Sequence, residues 1–288
     1  MVVLPFAQLN GGHPVPRVVP RLSWFPVRLI RPIADGQITL DQLLTSATRL
    51  GFSHIELHHS FVDVETPNLL KEHQIGCSQL SCAPDITNRD KGRRREELDA
   101  MREKIALAQA LGASTVRVTA GMAHPGVTVN NGLEWVGAGL TDLAKDASKA
   151  GIALCLENHY RDRMWNLTDF AAPPEIFLRL YELLEPTSVM INYDTAQPMV
   201  VGGDGIGLLR RVVSKVRSVH AGDRKRGAVS HSVIGEGDVD FDAVFRILRA
   251  ANYQGFVAIE DGSQEGDVGL ERGRRSLEDT IQRVWGEP

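Results

Sequence analysis

Short apolar runs alternate along this chain with longer segments in which apolar residues recur every three or four positions, the respective signatures of strands and amphipathic helices. The first run, 18–24, is followed by a helical segment at 40–50, which Thr39 is placed to cap and Gly51 to stop. Further runs lie at 53–57, 75–82, 115–119, 152–157, 188–194, 216–220 and 256–260. Between and after them, helical spacing is predicted near 65–72, 93–111, 133–150, 173–184, 206–213, 241–251 and 269–284. Gly112 stops the helix at 93–111, and Pro173 and Pro174 open a later helix. Eight strand and helix units in 288 residues predict an α/β fold, a single closed (β/α)8 TIM barrel over 18–288 behind an irregular arm at 1–17. An open parallel sheet would give a similar local pattern. No repeat or shift in composition marks a second domain.

Alternate side chains of a barrel strand face the surrounding helices or the axis. In 152–157 the large apolar residues Ile152, Leu154 and Leu156 share one face, so Glu157 is expected to point to the axis with Ala153 and Cys155. Val189, Ile191 and Tyr193 leave Asp194 inward, and Val257 and Ile259 leave Glu260 inward. His220 shares its face with Ser218 and Val216. Ile55 and Leu57 leave His54, Glu56 and His58 inward, and Val116 and Val118 leave Arg117 inward.

Functional groups of such barrels gather at the carboxyl ends of the strands, where Glu157, Asp194, His220 and Glu260 would end strands five to eight. Three carboxylates aimed at one point repel unless a cation or protons intervene. Three oxygen donors with one imidazole suit Mn²⁺, with Mg²⁺ and Co²⁺ as alternatives, whereas zinc sites more often hold sulfur or more histidines. Taken singly, a strand-end carboxylate more often caps a helix or meets solvent, and one inward histidine is more often a satisfied core polar. Four in succession with the right parity favour the metal.

Composition narrows the class. A hydrophobic content of 43% supports a sizeable core, and a net charge of −4 with a pI near 6.1 argues against affinity for phosphate backbones. The three cysteines, Cys77, Cys82 and Cys155, are an odd number, and the first two would face opposite sides of an extended strand. A reducing, cytoplasmic setting is expected. The first twenty residues lack a basic start and an unbroken apolar stretch, so no signal peptide is expected, and no run reaches the roughly 18 apolar residues of a membrane span.

The stretches Gly51-Phe52-Ser53-His54-Ile55-Glu56-Leu57, Leu156-Glu157-Asn158-His159 and Tyr193-Asp194-Thr195 recur in order with three others. These are His220-Ala221-Gly222-Asp223-Arg224, Gly235-Glu236-Gly237 with Asp240-Phe241, and Ala258-Ile259-Glu260-Asp261. From about Leu40 onward the chain thereby resembles the sugar isomerase and epimerase group of xylose-isomerase-like TIM barrels, which includes ketose 3-epimerases, hydroxypyruvate isomerase and inosose dehydratase. The resemblance implies that Glu157, Asp194, His220 and Glu260 bind the metal and that the two glutamates also handle protons. It further implies Asp223 beside the His220 ligand and Arg226 near a substrate oxygen. Two departures point away from ketohexose epimerisation itself: Gln197 stands where ketose epimerases often carry a histidine, and Arg163 where they commonly carry a carboxylate. Arg161, Arg163 and Trp165 make that loop cationic and aromatic, suited to an anionic or glycosidic substrate, although a solvated charged loop would look the same.

The chemistry expected is abstraction by Glu157 of a proton α to a sugar carbonyl, through a metal-stabilised enediolate, and return of a proton by Glu260. His159, with the parity of Glu157, is a candidate second base or substrate donor; His58 and Glu56 are candidates for sugar hydroxyls or plain core polars. A metal-dependent sugar isomerase or epimerase is the first reading, with a small sugar as partner and a homo-oligomer left open. A carbon–oxygen or carbon–carbon lyase of the inosose dehydratase or 3-keto-glycoside type would use the same groups. From other classes, an apurinic endonuclease needs several zinc ions and a basic groove, and a non-catalytic sugar-binding protein would not need both glutamates.

Overall fold

A computed structural model describes residues 19–286; the expected arm at 1–17 and Val18, the start of the first predicted strand, lie outside them. The eight strands are β1 (Arg21–Trp24), β2 (His54–His58), β3 (Gly76–Ser81), β4 (Thr115–Val118), β5 (Ala153–Glu157), β6 (Met190–Asp194), β7 (Val216–Ala221) and β8 (Phe256–Ile259). They run parallel in sequence order, and β1 pairs with β8 to close a (β/α)8 barrel with no free edge. Around it stand α1 (Ile30–Ala34), α2 (Leu40–Arg49), α3 (Thr66–Glu72), α4 (Lys91–Ala110), α5 (Val129–Lys149), α6 (Pro174–Leu184), α7 (Gln197–Val200), α8 (Gly205–Val212), α9 (Phe241–Ala250) and α10 (Gly266–Gly286).

Local chemistry accounts for the helix boundaries. Thr39 forms a full capping box, its Oγ1 accepting from the Gln42 amide at 3.1 Å while the Gln42 side chain accepts from the Thr39 amide at 2.9 Å. Gly51 ends that helix at φ +75°, a conformation costly for any side chain. Asp90 and Thr128 cap α4 and α5, which moves both helix starts a few residues earlier than apolar periodicity alone predicts. The short α7 is an addition to the predicted pattern, and it begins where the Asp194 carboxylate accepts the amides of Ala196 and Gln197 at 2.6 and 3.2 Å.

The outward residues of the strands, among them Leu57, Leu80, Leu154, Ile191, Val219 and Val257, are fully buried against helix residues such as Leu44, Leu140, Leu143, Phe245 and Leu248. Burying this ring of apolar surface between barrel and helices is what stabilises the fold. The axis is different: Glu56, Gln79, Ser81, Arg117, Glu157, Asn192, Asp194 and His220 are all buried there, so the centre is a hydrogen-bonded polar column. Cys77, Cys82 and Cys155 are free and buried, and burial pushes each thiol up to about 12. Among the described residues no helix is long and apolar enough to cross a membrane.

Candidate metal centre and its pocket

Parallel pairing sets the ends of β5 to β8 side by side, with Glu157 opposite Asn192 and Asp194 opposite His220. Ligand atoms of Glu157, Asp194, His220 and Glu260 consequently lie within 4.8 Å of one another, and all four residues are buried. His220 Nδ1 sits 2.7 Å from Glu157 Oε1 and 3.2 Å from Glu260 Oε2. Asp194 is placed by Asn158, which follows β5: its amide donates to the Asp194 carbonyl at 2.9 Å and accepts the Asp194 N–H at 2.8 Å. That pair of bonds extends the β5/β6 ladder by one side chain and turns Asn158 away from the pocket.

A second layer orients the first. The other imidazole nitrogen of His220, Nε2, lies 2.9 and 3.0 Å from the two oxygens of Glu56, which also accepts from Ser81 Oγ. A carboxylate on Nε2 aims Nδ1 at the cluster, the arrangement found around metal-bound histidines. Asn192 donates to Glu157 Oε1 at 3.1 Å and accepts from Gln79, whose carbonyl oxygen accepts from Thr115 Oγ1 at 2.8 Å. Arg117 Nε stands 2.9 Å from Glu157 Oε2, close enough for an ion pair but not aligned as a hydrogen bond. Phe25 covers the His220 ring from above at 5.0 Å between centroids.

Donor set and leftover valences fit a divalent cation. His220 Nδ1 and Glu157 Oε2 are buried without a hydrogen-bond partner, the condition that buried polar atoms ordinarily avoid. In the metal-free protein, protons take the place of the missing charge. Burial, then repulsion from Glu260 and Glu157, pushes Asp194 up to about 7. For His220 burial acts downward, but the Glu56 and Glu157 charges outweigh it and hold the imidazole well above its ordinary value. Burial also acts to raise Glu157 and Glu260, yet both stay below the usual carboxylate range, Glu157 through Arg117 and then His220, Glu260 through its close contact with the His220 imidazole and that residue's charge.

These shifts give metal-free stability a defined pH dependence. Asp194 and His220 both bind a proton more tightly folded than unfolded, so their contribution is present at lower pH and is lost as pH rises through the folded values. Below pH 6.5 the trend is opposed, because burial lowers His59 to about 3 and His231 to about 4, and their contribution is lost as pH falls. Between pH 6.5 and about 8.5 the Tm of chelated protein should therefore fall, and saturating Mn²⁺ should remove the decline because ligation requires the deprotonated groups. A Tm that rises across this window without metal would contradict these protonation states.

Glu260 of the cluster lines a cavity of about 610 Å³ at the carboxyl face. Of the other residues singled out by sequence, His159, Arg163, Trp165 and Gln197 line it. His159 is buried, with Nδ1 3.6 Å from Asp169 Oδ2, Nε2 4.0 Å from Glu157 Oε2 and its ring edge-on to Trp165 at 6.2 Å. Gln197 donates to Asp194 Oδ2 at 2.8 Å. Four candidates lie elsewhere. Glu56 is beneath His220 and out of substrate reach, and His58 turns sideways to Ser60 Oγ at 2.8 Å and Asp162 at 3.8 Å. Asp223 is not a partner of His220; its carboxylate accepts the amides of Arg224, Gly235, Gly237 and Val239 at 2.8 to 3.1 Å. Arg226 is exposed, with its amide on Asp238, and the buried arginine that lines the cavity is Arg224. His54, expected inward, sits half-buried at the opposite end of the barrel against Phe256. A separate cavity of about 630 Å³ between β1 and α10 on that opposite face contains none of the four clustered residues.

A family model described as xylose isomerase-like TIM barrel matches residues 44–280. An inosose dehydratase from Clostridium tetani (strain Massachusetts / E88) is 29% identical over 146 residues, 44% of this chain and 47% of that protein, so the match spans about half of its length. An L-ribulose 3-epimerase from Mesorhizobium japonicum is 27% identical over 252 residues, 81% of this chain and 78% of that protein. Among solved structures, a D-tagatose 3-epimerase-like protein superposes with a TM-score of 0.76 at 16% identity, covering 92% of this chain and 98% of the other.

Proposed function

The chain belongs to the xylose isomerase-like TIM barrel family, and from that premise we propose that it moves a proton at the carbon next to the carbonyl of a sugar or sugar derivative. The observation that carries the reading is the buried convergence of Glu157, Asp194, His220 and Glu260, the last of which lines a sugar-sized cavity. These four residues would hold one divalent cation, with Mn²⁺ favoured by the oxygen-rich donors and Mg²⁺ or Co²⁺ as substitutes. When bound, the cation would supply Lewis acidity that polarises the ketone and acidifies the adjacent C–H.

The residues divide the remaining work. Arg117 keeps Glu157 ionised and therefore able to accept the carbon-bound proton. Glu260 is the second proton carrier: ionised at rest beside His220, it would first take up a proton from solvent in the cavity it lines. Delivery of that proton to the face opposite Glu157, with the abstracted proton leaving Glu157 to solvent, would invert the centre. Gln197 and Asn158 fix the Asp194 carboxylate and backbone. The Mesorhizobium relative named as a 3-epimerase supports this outcome.

A lyase is the second reading, and one residue favours it. His159 lines the pocket beside Glu157; although burial acts to lower its pKa, the Glu157 charge and Asp169 raise it. An imidazolium there could protonate a leaving hydroxyl or glycosidic oxygen β to the abstracted proton, which is dehydration or elimination. The inosose dehydratase relatives support that course. The three unbridged thiols support a reducing, cytoplasmic setting.

Proton NMR in D₂O with Mn²⁺-loaded protein separates the outcomes across free ketoses, phosphorylated sugars, inososes and 3-keto-glycosides. Deuterium at the α carbon with a new diastereomer identifies an epimerase, and loss of water or of the glycosidic group identifies a lyase. Absence of α exchange in every member of the panel would overturn the proposal.

A further inference from the structure

We infer that the pocket selects sugars carrying an oxyanion, a carboxylate or a phosphate ester, at the end remote from the reacting carbonyl, with Arg163 and Arg224 as the specificity-determining residues; this rests on the proton-transfer reading. Arg31, Arg161, Arg163 and Arg224 all line the cavity. Arg117, beneath them, is paired with Glu157, but among the described residues none of the other four has a carboxylate partner at ion-pair distance. The pocket's two carboxylates are engaged elsewhere, Glu260 with His220 and Asp162 near His58 and Arg117.

Arg224 distinguishes this arrangement from an ordinary solvated loop. It is 5% exposed and held rigidly, donating to the Val229 carbonyl and to His231 Nε2 at 2.6 Å, while its Nε is buried without a partner. Accepting that bond requires His231 to be neutral, and burial with the Arg224 and Arg163 charges keeps it so. Burial acts against the Arg224 cation, the charges of Asp194 and Glu260 favour it, and Arg163, an exposed residue lining the same cavity, opposes it. Arg31 clamps the loop that carries Arg163 by donating Nε and Nη2 to its carbonyl at 3.0 and 2.5 Å. The unpartnered Nε of buried Arg224 and the exposed head of Arg163 leave guanidinium donors at the cavity wall without a carboxylate in ion-pair range, and guanidinium groups bind planar carboxylates and phosphates with paired hydrogen bonds. A neutral sugar would gain nothing from them.

Calorimetric titration of Mn²⁺-loaded protein with D-glucitol, D-glucitol 6-phosphate and D-gluconate tests the inference and tells the two anion types apart. At least one of the charged ligands should bind roughly ten- to a hundredfold tighter than D-glucitol, the gain shrinking at high salt. Arg163→Gln should remove that advantage, weakening the charged ligands far more than D-glucitol, and Arg163→Lys should restore part of it. Equal binding of neutral and charged ligands, or an equal effect of Arg163→Gln on both, would overturn it. Exchange measured alongside on D-fructose and D-fructose 6-phosphate separates this inference from the reaction it rests on. Charge-selective binding with no exchange on any ketose would sink the proton-transfer reading alone, and exchange at equal kcat/KM on both would sink the oxyanion preference alone.

Discussion

Glu157→Gln is expected to lower α-carbon exchange by roughly a hundred- to ten-thousandfold, the range assigned to a positioned general base, while the barrel stays folded at reduced stability because Arg117 loses its counter-charge. The amide is nearly isosteric and can still accept from Asn192, whose bond to Glu157 Oε1 is 3.1 Å. What it loses is the negative charge that Arg117 and His220 maintain. Metal content measured on the same sample separates loss of the base from loss of a ligand. Wild-type exchange in Glu157→Gln would remove Glu157 from the proton path.

Arg117→Met should destabilise the protein by about 3–5 kcal/mol, because it leaves Glu157 buried without its counter-charge. Both side chains are almost wholly inaccessible, 3% and 1% exposed. Arg117 also gives Nη1 to the Cys82 carbonyl at 3.1 Å, so a second buried group is orphaned. A surface pair such as Arg49 with Asp267, 57% and 49% exposed, should cost under about 1 kcal/mol when broken. The Arg117 variant should also move the acidic limb of kcat/KM to higher pH, since the charge opposing the burial of Glu157 is gone. Denaturant unfolding checks the first effect and a pH–rate profile the second. A loss below about 1 kcal/mol with an unmoved limb would contradict the role given to this pair.

The barrel and the four clustered residues were legible because period-two alternation is a local property. Ile152, Leu154 and Leu156 have to face the helices, so Glu157 has to face the axis. The same rule reaches Asn192, which shares the face of Asp194, and its place between Gln79 and Glu157 follows from that parity. Depth along the strand is harder to read. Glu56 is two residues before the end of β2, about 7 Å lower at the ordinary strand rise, and therefore supports His220 from below instead of meeting substrate. His58 ends β2 with the right parity, but the turn at His59–Phe61 and the register shift between Ile55 and Glu56 carry it aside.

Loops obey contacts distant in sequence, and there local reading fails. Asp223 has the residue type of a second-layer partner for His220, yet four amides from 224–239 claim its carboxylate and fold the chain back. That fold sends Arg226 to solvent and Arg224 into the pocket. His231 and Asp169 likewise reach the site through loop geometry that no spacing rule contains. The Arg161 to Trp165 stretch was recognisable as cationic and aromatic, but its closure over the pocket depends on Arg31, 132 residues away.

On the proposed reading, one divalent cation held by Glu157, Asp194, His220 and Glu260 would enable proton removal next to a sugar carbonyl. The most direct test of that reading is to strip the protein with a chelator, follow deuterium entry at the α carbon of a ketose that the loaded protein exchanges, and restore Mn²⁺ in steps. Exchange should vanish on chelation, return in proportion to bound Mn²⁺ up to one ion per chain, and remain absent in Glu157→Gln at full metal loading. Exchange that persists in chelated protein, or that requires about three ions per chain, would contradict it.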